Sequence, residues 1–199
     1  MMLLAFVFAF AASWLHLRSR EKTSYNKTLR EFAWTLVVVT VIVTLTGHVL
    51  ERISRQIGGR AGIYAIYPAM IDTVGDVGSI IGSTATTKLG LGLLGAELKS
   101  IRGHLNEISY AWIGSLFLFT FYATISGVLY GFMRFRSLLA VVWCSNLLVM
   151  PLIALVSFSV GITTYKLGLD PDNFVIPFET SLADSLTTVI LYLMILVWY

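Results

Sequence analysis

Two apolar stretches of this sequence carry carboxylates where a membrane-length helix would bury them. Asp184 lies inside the run 174–198, and Asp72 and Asp76 lie inside the run 62–87. A charged group near the middle of a membrane helix costs about 2.5–3.5 kcal/mol on insertion scales. Each carboxylate must therefore meet water, a partner or a cation. We predict that Asp184, Asp76 and Asp72 are the ligands of a cation site.

The stretch around Asp72 and Asp76 has the periodicity of one helical face. Polar residues recur there at intervals of four, three, four and three, and they are Asp72, Asp76, Ser79, Ser83 and Thr86. That spacing places all of them on one stripe. Two carboxylates four residues apart repel each other unless they are protonated or bridged by a cation.

The last apolar run places a second set of oxygen ligands along one face. Thr180 and Asp184 share that face, whereas Glu179 precedes Asp184 by five residues and lies about 140° around the helix. Pore-lining side chains outside the aspartate set are predicted at Thr180, Ser79, Ser83, Glu179 and Asn146. For Asn146, a hydrogen bond between helices is the competing interpretation.

These ligands are all oxygens, with no His or Cys nearby in the sequence. Such a set suits a hard cation, which we expect to be Mg²⁺, with Mn²⁺ or Ca²⁺ as alternatives. At about 1.5 Å per residue, the three aspartates lie roughly 15–21 Å along their helices, the middle third of a bilayer core of about 30 Å. The same carboxylates also allow an alternative function, a proton- or sodium-coupled cation carrier.

Composition places the chain in the membrane. Of its 199 residues, 57% are hydrophobic and 13% are charged, and the mean hydropathy is +0.81. A soluble domain is not this apolar. The single cysteine, Cys144, excludes an internal disulfide. The basic residues sit in predicted loops, so we expect no nucleic-acid face, and no stretch is typical of a soluble regulatory domain.

The predicted fold is all-α, with five membrane helices and one additional helix at the N-terminus. An extra helix at 1–17 is favoured over a signal peptide, because positive charge follows the apolar run. A polar connector is predicted at 18–31 and a loop at 88–109. The five full spans are predicted at 32–50, 62–87, 110–133, 137–165 and 174–199.

Basic residues predict the orientation. With the N-terminus outside, nine lysines and arginines fall in inner loops and five in outer loops, which together are the fourteen in the chain. This bias is typical of a membrane protein oriented that way. We therefore expect a multi-pass protein of the plasma membrane with its C-terminus outside.

Two motifs resemble the membrane domain of MgtE-type magnesium transporters, a family that includes eukaryotic solute-carrier relatives. GLDP at 168–171, followed by PFETSLADS at 177–185, resembles the family's final helix, which has Thr-Ser/Thr-Leu-x-Asp in its middle. Pro68 followed by VGDVG at 74–78 resembles the family's Gly-Gly-Asn-x-Gly segment. The resemblance implies a domain at 30–199, after an apolar helix and cytoplasmic connector at 1–29. It also implies a dimer with the ion path on its axis, and it puts Asp184 at the pore centre.

The sequence departs from the family pattern at acidic positions. Asp76 stands where the family has asparagine, while Asp72 and Glu179 occupy positions that are usually apolar or small. The cytoplasmic regulatory domains of bacterial members have no counterpart, so the resemblance is to a single-domain prokaryotic or archaeal-like form. An intramembrane aspartyl protease is disfavoured, because Asp76 follows Thr73-Val74-Gly75 and lacks the glycine-x-glycine-aspartate signature. We therefore predict a transporter and not an enzyme.

Overall fold

The computed structural model describes residues 22–57, 61–169 and 171–198. It contains five α-helices and two short 3₁₀ helices. The α-helices are α1 (Lys22–Ile57), α2 (Ala61–Gly90), α3 (Leu105–Tyr130), α4 (Phe135–Lys166) and α5 (Pro171–Trp198). The 3₁₀ helices are Leu98–His104 and Phe132–Arg134. No strand occurs in these described ranges, and the all-α prediction is confirmed; the predicted helix at 1–17 lies outside them.

Four of the described helices are long and apolar enough to cross a membrane. The corresponding spans are Lys27–His48, Leu98–Tyr130, Phe132–Lys166 and Phe174–Trp198. Helix α2 does not meet the same criterion, although its 30 residues extend about 45 Å. Polar residues on one side lower its hydropathy, among them Asp72, Asp76, Ser79 and Ser83. Helix α2 packs against α3, α4 and α5, so its apolar residues face the interior of the bundle.

The core of the bundle forms around α2. Met70, Val74 and Ile81 of this helix are completely buried, and they share one apolar cluster with Phe119 of α3 and Phe158 of α4. Helix α1 is peripheral and packs mainly against α5. Its outward residues are large and apolar, as expected of a lipid-facing helix; they include Trp34, Val37, Val41 and Leu45.

The predicted connector at 18–31 is wrong for residues 22–31, which are the first part of α1. Lys27 and Glu31 lie one helical turn apart, with Nζ and Oε1 separated by 3.7 Å. Only 6% of Glu31 is exposed, and Lys27 Nζ also donates to the Gly168 carbonyl at 2.9 Å. These contacts stabilise the helical conformation of a polar segment, and they place the start of α1 beside the α4–α5 connection.

The predicted loop at 88–109 is also shorter in the structure. Helix α2 continues to Gly90, the 3₁₀ helix begins at Leu98, and α3 begins at Leu105. His104 anchors this segment: its side chain is fully buried, and Nε2 donates to the Ile81 carbonyl at 3.1 Å. Lys88 Nζ and Glu107 Oε1 form an ion pair at 2.6 Å. The segment is therefore folded against the end of α2.

Candidate cation site

An open cavity of about 380 Å³ lies between α1, α2 and α5, and all three predicted aspartate ligands line it. Thr180, one of the predicted pore-lining residues, also lines it. The complete lining is Val43, Thr46, Gly47, Tyr67, Pro68, Ile71, Asp72, Gly75, Asp76, Thr180, Asp184 and Thr188. Carboxylates from two helices that are distant in sequence thus meet at one surface.

The acidic side chains in the cavity are accessible and have no cationic neighbour in its wall. Asp72 and Asp76 are exposed and Asp184 is half-buried. The lining contains no Lys, Arg or His, and no ion pair among the described side chains involves these aspartates. The negative charge of the cavity is therefore not balanced by basic side chains in the described part of the chain.

Hydroxyl groups add oxygen lone pairs to the cavity wall. Thr180 Oγ1 donates to the carbonyls of Ile176 and Pro177, both at 3.1 Å. Because its hydrogen is engaged by its own helix, the Thr180 oxygen can offer only lone pairs to the cavity. Such an oxygen is a suitable partner for a cation or for a water in its hydration shell.

Tyr67 and Thr188 form a second hydroxyl pair in the wall. Thr188 Oγ1 donates to the Asp184 carbonyl at 2.5 Å. Its single hydrogen is therefore used, and the Tyr67 hydroxyl, 2.5 Å away, must donate to Thr188. This contact ties α2 to α5 beside Asp184. Tyr67 was not among the predicted site residues, although it lies one and two helical turns before Ile71 and Gly75 on the same face.

The close approach of α2 and α5 brings the two acidic faces together. A Cβ added at Gly75 would lie 3.6 Å from Thr180 Cγ2 and 3.7 Å from Ala183 Cβ. These are ordinary contact distances, so the two helices pack closely here and an alanine would also fit. Asp76, the next residue along α2, lines the same cavity as Asp184.

Helix α1 closes one side of the cavity, and none of its residues was among the predicted site residues. Thr46 and Gly47 line the cavity, and the Thr46 hydroxyl is hydrogen-bonded to the hydroxyl of Ser185 on α5. Glycine and threonine are common in membrane helices, so neither residue marks α1 as part of a site. The only available signal was Gly47 itself, a small residue in a run of larger ones.

The remaining residues of the polar stripe on α2 lie beyond the cavity. Ser79 and Ser83 are half-buried and Thr86 is buried, and none of them lines the cavity. Thr86 Oγ1 donates to the Ser83 carbonyl at 2.9 Å. The predicted stripe is therefore a single helical face that opens to the cavity only at its two aspartates.

Asn146 and Glu179, both predicted as pore-lining, are fully buried outside the cavity. Asn146 Oδ1 accepts from Trp112 Nε1 at 2.9 Å, and Asn146 Nδ2 donates to Ser115 Oγ at 2.9 Å. Asn146 therefore makes the interhelical hydrogen bond of the competing interpretation. Glu179 Oε2 accepts a hydrogen bond from Ser157 of α4, which agrees with the angle that separates Glu179 from Asp184.

A metal cage built entirely from one chain is not seen in the described residues. Among them, no three Asp, Glu, His or Cys side chains are grouped closely enough to hold one metal ion. The three aspartates share a cavity wall rather than a single coordination sphere. The cavity can attract a cation and contact its hydration shell.

Residues 67–194 match the family model of MgtE, described as a divalent cation transporter. The chain belongs to the MgtE family. The matched segment begins at Tyr67 and includes the three aspartates and Thr180, whereas α1 precedes it. Comparisons with curated proteins and with solved structures gave no match. The predicted resemblance is confirmed, and the chain is a membrane protein of a divalent cation transporter family, a family of transporters rather than enzymes.

Proposed function

We propose that this MgtE-family chain moves Mg²⁺ across the plasma membrane along a path that passes Asp72, Asp76 and Asp184. The observation that supports this proposal is the cavity itself. Three carboxylates and several hydroxyl oxygens line one space, and no basic side chain of the described residues lines it. A membrane protein does not place uncompensated carboxylates on such a surface without a cation or water to meet them.

The size of the cavity supports a hydrated ion. Mg²⁺ dehydrates reluctantly and prefers an octahedral shell. Six waters at about 30 Å³ each occupy roughly 180 Å³, which the cavity of about 380 Å³ can hold. The aspartates then act on the ion through retained waters, and a close cluster of three carboxylates is not required. Mn²⁺ and Ca²⁺ have the same preference for oxygen and are the competing ions.

The open side of the cavity supports a homodimer. Asp72, Asp76 and Thr180 are exposed in a single chain, and a bilayer would bring hydrocarbon against them. A second copy related by two-fold symmetry would cover this side with the same acidic surface. The ion path then lies between the two copies, and Asp184 faces its symmetry mate across it.

The proposed orientation puts the C-terminus outside. Lys27 contacts Gly168, and Lys88 contacts Gly103, so each basic residue lies at a connection that we assign to the inner side. The bias of basic residues toward inner loops supports this assignment.

Flux into liposomes tests the proposal. Asp184→Asn keeps the shape of the side chain and removes its charge, and we expect Mg²⁺ flux to fall at least about ten-fold, since interactions with a charged group contribute about 1.5–3 kcal/mol. Glu97→Gln is the matched control, because Glu97 is an exposed carboxylate in the α2–α3 connection. Wild-type flux from Asp184→Asn would refute the assigned path.

Two further arms address coupling and assembly. Flux driven by Mg²⁺ alone, with no proton or sodium gradient, is expected; a requirement for either gradient would favour the coupled carrier instead. Native mass measurement in mild detergent should give the mass of two chains. A monomer that transports Mg²⁺ at the full rate would contradict the dimeric path.

A further inference from the structure

Glu179 is a buried carboxyl group that the proposed ion path does not use. Its side chain has no exposed surface. Oε2 accepts a hydrogen bond from Ser157 Oγ, while Oε1 is buried with no hydrogen-bond partner among the described residues. Ser157 is itself fully buried, so the pair belongs to the packed interior where α2, α4 and α5 meet.

A glycine on α2 makes room for this pair. A Cβ added at Gly78 would lie 2.9 Å from Glu179 Oε2, 3.0 Å from Ile153 Cγ1 and 3.1 Å from Ser157 Oγ. All three distances are shorter than ordinary contacts. The backbone of α2 therefore packs directly against the Glu179–Ser157 pair, with no side chain between them. We call this contact the seat at Gly78.

Burying a carboxyl group here lowers the stability of the fold, so its presence calls for a functional reason. A buried polar oxygen without a partner destabilises the fold, and more so when it is charged. Apolar residues of similar volume often replace buried polar pairs without loss of stability. What such residues cannot supply is a directional bond, which fixes how one helix sits against another.

The two sides of the α2–α5 contact are linked through consecutive residues. Glu179 packs against Gly78 on the buried side, and Thr180, the next residue, contacts Gly75 beside the cavity. Any rotation or shift of α5 that disrupts the Glu179–Ser157 bond also moves Thr180 and Asp184 relative to Asp76.

We propose that Glu179 is a positioning residue that, through Ser157 and the seat at Gly78, fixes the separation of Asp184 from Asp72 and Asp76. This inference rests on the proposed function, because it assigns Glu179 a role in setting cation affinity and the preference for Mg²⁺ over the larger Ca²⁺. Glu179 touches the ion at no stage; it acts through the helices.

A disulfide measurement tests the geometry without any transport. The Cβ positions of Gly75 and Ala183 are 3.7 Å apart, within the roughly 3.5–4.5 Å that a disulfide requires. In a Cys144→Ala background, Gly75→Cys with Ala183→Cys should therefore cross-link rapidly under mild oxidation, as measured by mass spectrometry after alkylation. Adding Glu179→Leu should slow cross-linking about five-fold, the effect of losing one interhelical hydrogen bond. Glu179→Gln, which can still bond to Ser157, should restore the rate.

Flux measurements then use a pair of serine variants. Ser157→Ala removes only the donor to Glu179 and should raise the Mg²⁺ concentration for half-maximal flux about five-fold, with a smaller preference over Ca²⁺. Ser159→Ala is the matched control, because the Ser159 hydroxyl donates to the Leu155 carbonyl of its own helix at 2.6 Å. It should leave both quantities unchanged.

The outcomes separate the two proposals. Slower cross-linking with Glu179→Leu, rescued by Glu179→Gln, supports the positioning role even if the chain carries no Mg²⁺. Equal cross-linking rates in all backgrounds overturn it, whatever the flux. A uniform loss of flux in Ser157→Ala at an unchanged half-maximal concentration also overturns it, because that is the result expected from a purely structural defect.

Discussion

The glycines along α2 give the sharpest prediction from the packing. Gly78→Ala puts a methyl group 2.9–3.1 Å from atoms of Glu179, Ile153 and Ser157. Two of these residues, Ile153 and Ser157, are short or branched side chains, and all three are fully buried, so none can move aside freely. Overpacking of this kind costs about 1–3 kcal/mol. Alanine regains about 0.5–1 kcal/mol of helix propensity, which leaves a net loss of up to about 2.5 kcal/mol.

Gly75→Ala is the matched control on the same helix. Its new methyl group would meet Thr180 and Ala183 at 3.6–3.7 Å, which is ordinary contact, so the variant should be neutral or more stable by up to about 1 kcal/mol. The two variants should therefore differ by about 1–3 kcal/mol. For a chain of this size, about 2–4 °C in Tm corresponds to each kcal/mol.

Thermal unfolding in one detergent, without Mg²⁺, measures the difference. We expect the Tm of Gly78→Ala to lie at least about 2 °C below that of Gly75→Ala. If the two variants melt together, the close seat of α2 on the Glu179–Ser157 pair is not present in the protein, and the reasoning from it is refuted.

Two further variants probe polar contacts on either side of the bundle. Asn146→Ala leaves the half-buried Trp112 N–H and the buried Ser115 hydroxyl without their partner, so stability should fall by about 1–3 kcal/mol. The Mg²⁺ concentration for half-maximal flux should stay at the wild-type value, and a shift would mean that Asn146 contacts the path. Tyr67→Phe removes the hydrogen bond to Thr188. The affinity for Mg²⁺, measured by calorimetry, should therefore weaken about two- to ten-fold. An unchanged affinity would show that this pair does not shape the cavity.

Most of the helices could be predicted from the sequence because apolar runs of membrane length leave few alternatives. The runs predicted at 62–87 and 137–165 correspond to Ala61–Gly90 and Phe135–Lys166. The errors occurred where tertiary contacts extend a helix through polar sequence. Residues 22–31 are polar, yet Glu31 is buried within α1. A hydropathy pattern cannot detect a helix that is held by an ion pair and by contacts with a distant loop.

The candidate site could be predicted only as far as single helices determine it. The interval of four between Asp72 and Asp76 fixes their shared face, and the helical angle separates Glu179 from Asp184. Which helices face one another is a tertiary property, so the wall formed by α1 and the bond between Glu179 and Ser157 could not be read from one sequence. The role of Asp72, Asp76 and Asp184 in binding an ion stays a prediction.

Helix α2 packs closely against other helices on one face and exposes carboxylates on another, and no single position can do both. Where α4 and α5 pack against α2, a side chain would collide with them, and the residue at that position is Gly78. Where no helix covers it, Asp72 and Asp76 are exposed to the cavity. The two faces meet different partners, so filling a glycine should change the stability of the bundle, whereas neutralising an aspartate should change its response to Mg²⁺. Glu179 of α5 connects the two, since it packs against Gly78 on the first face of α2 and is followed directly by Thr180, which lines the cavity. That adjacency is the basis of our proposal that one buried bond influences an ion that it never touches.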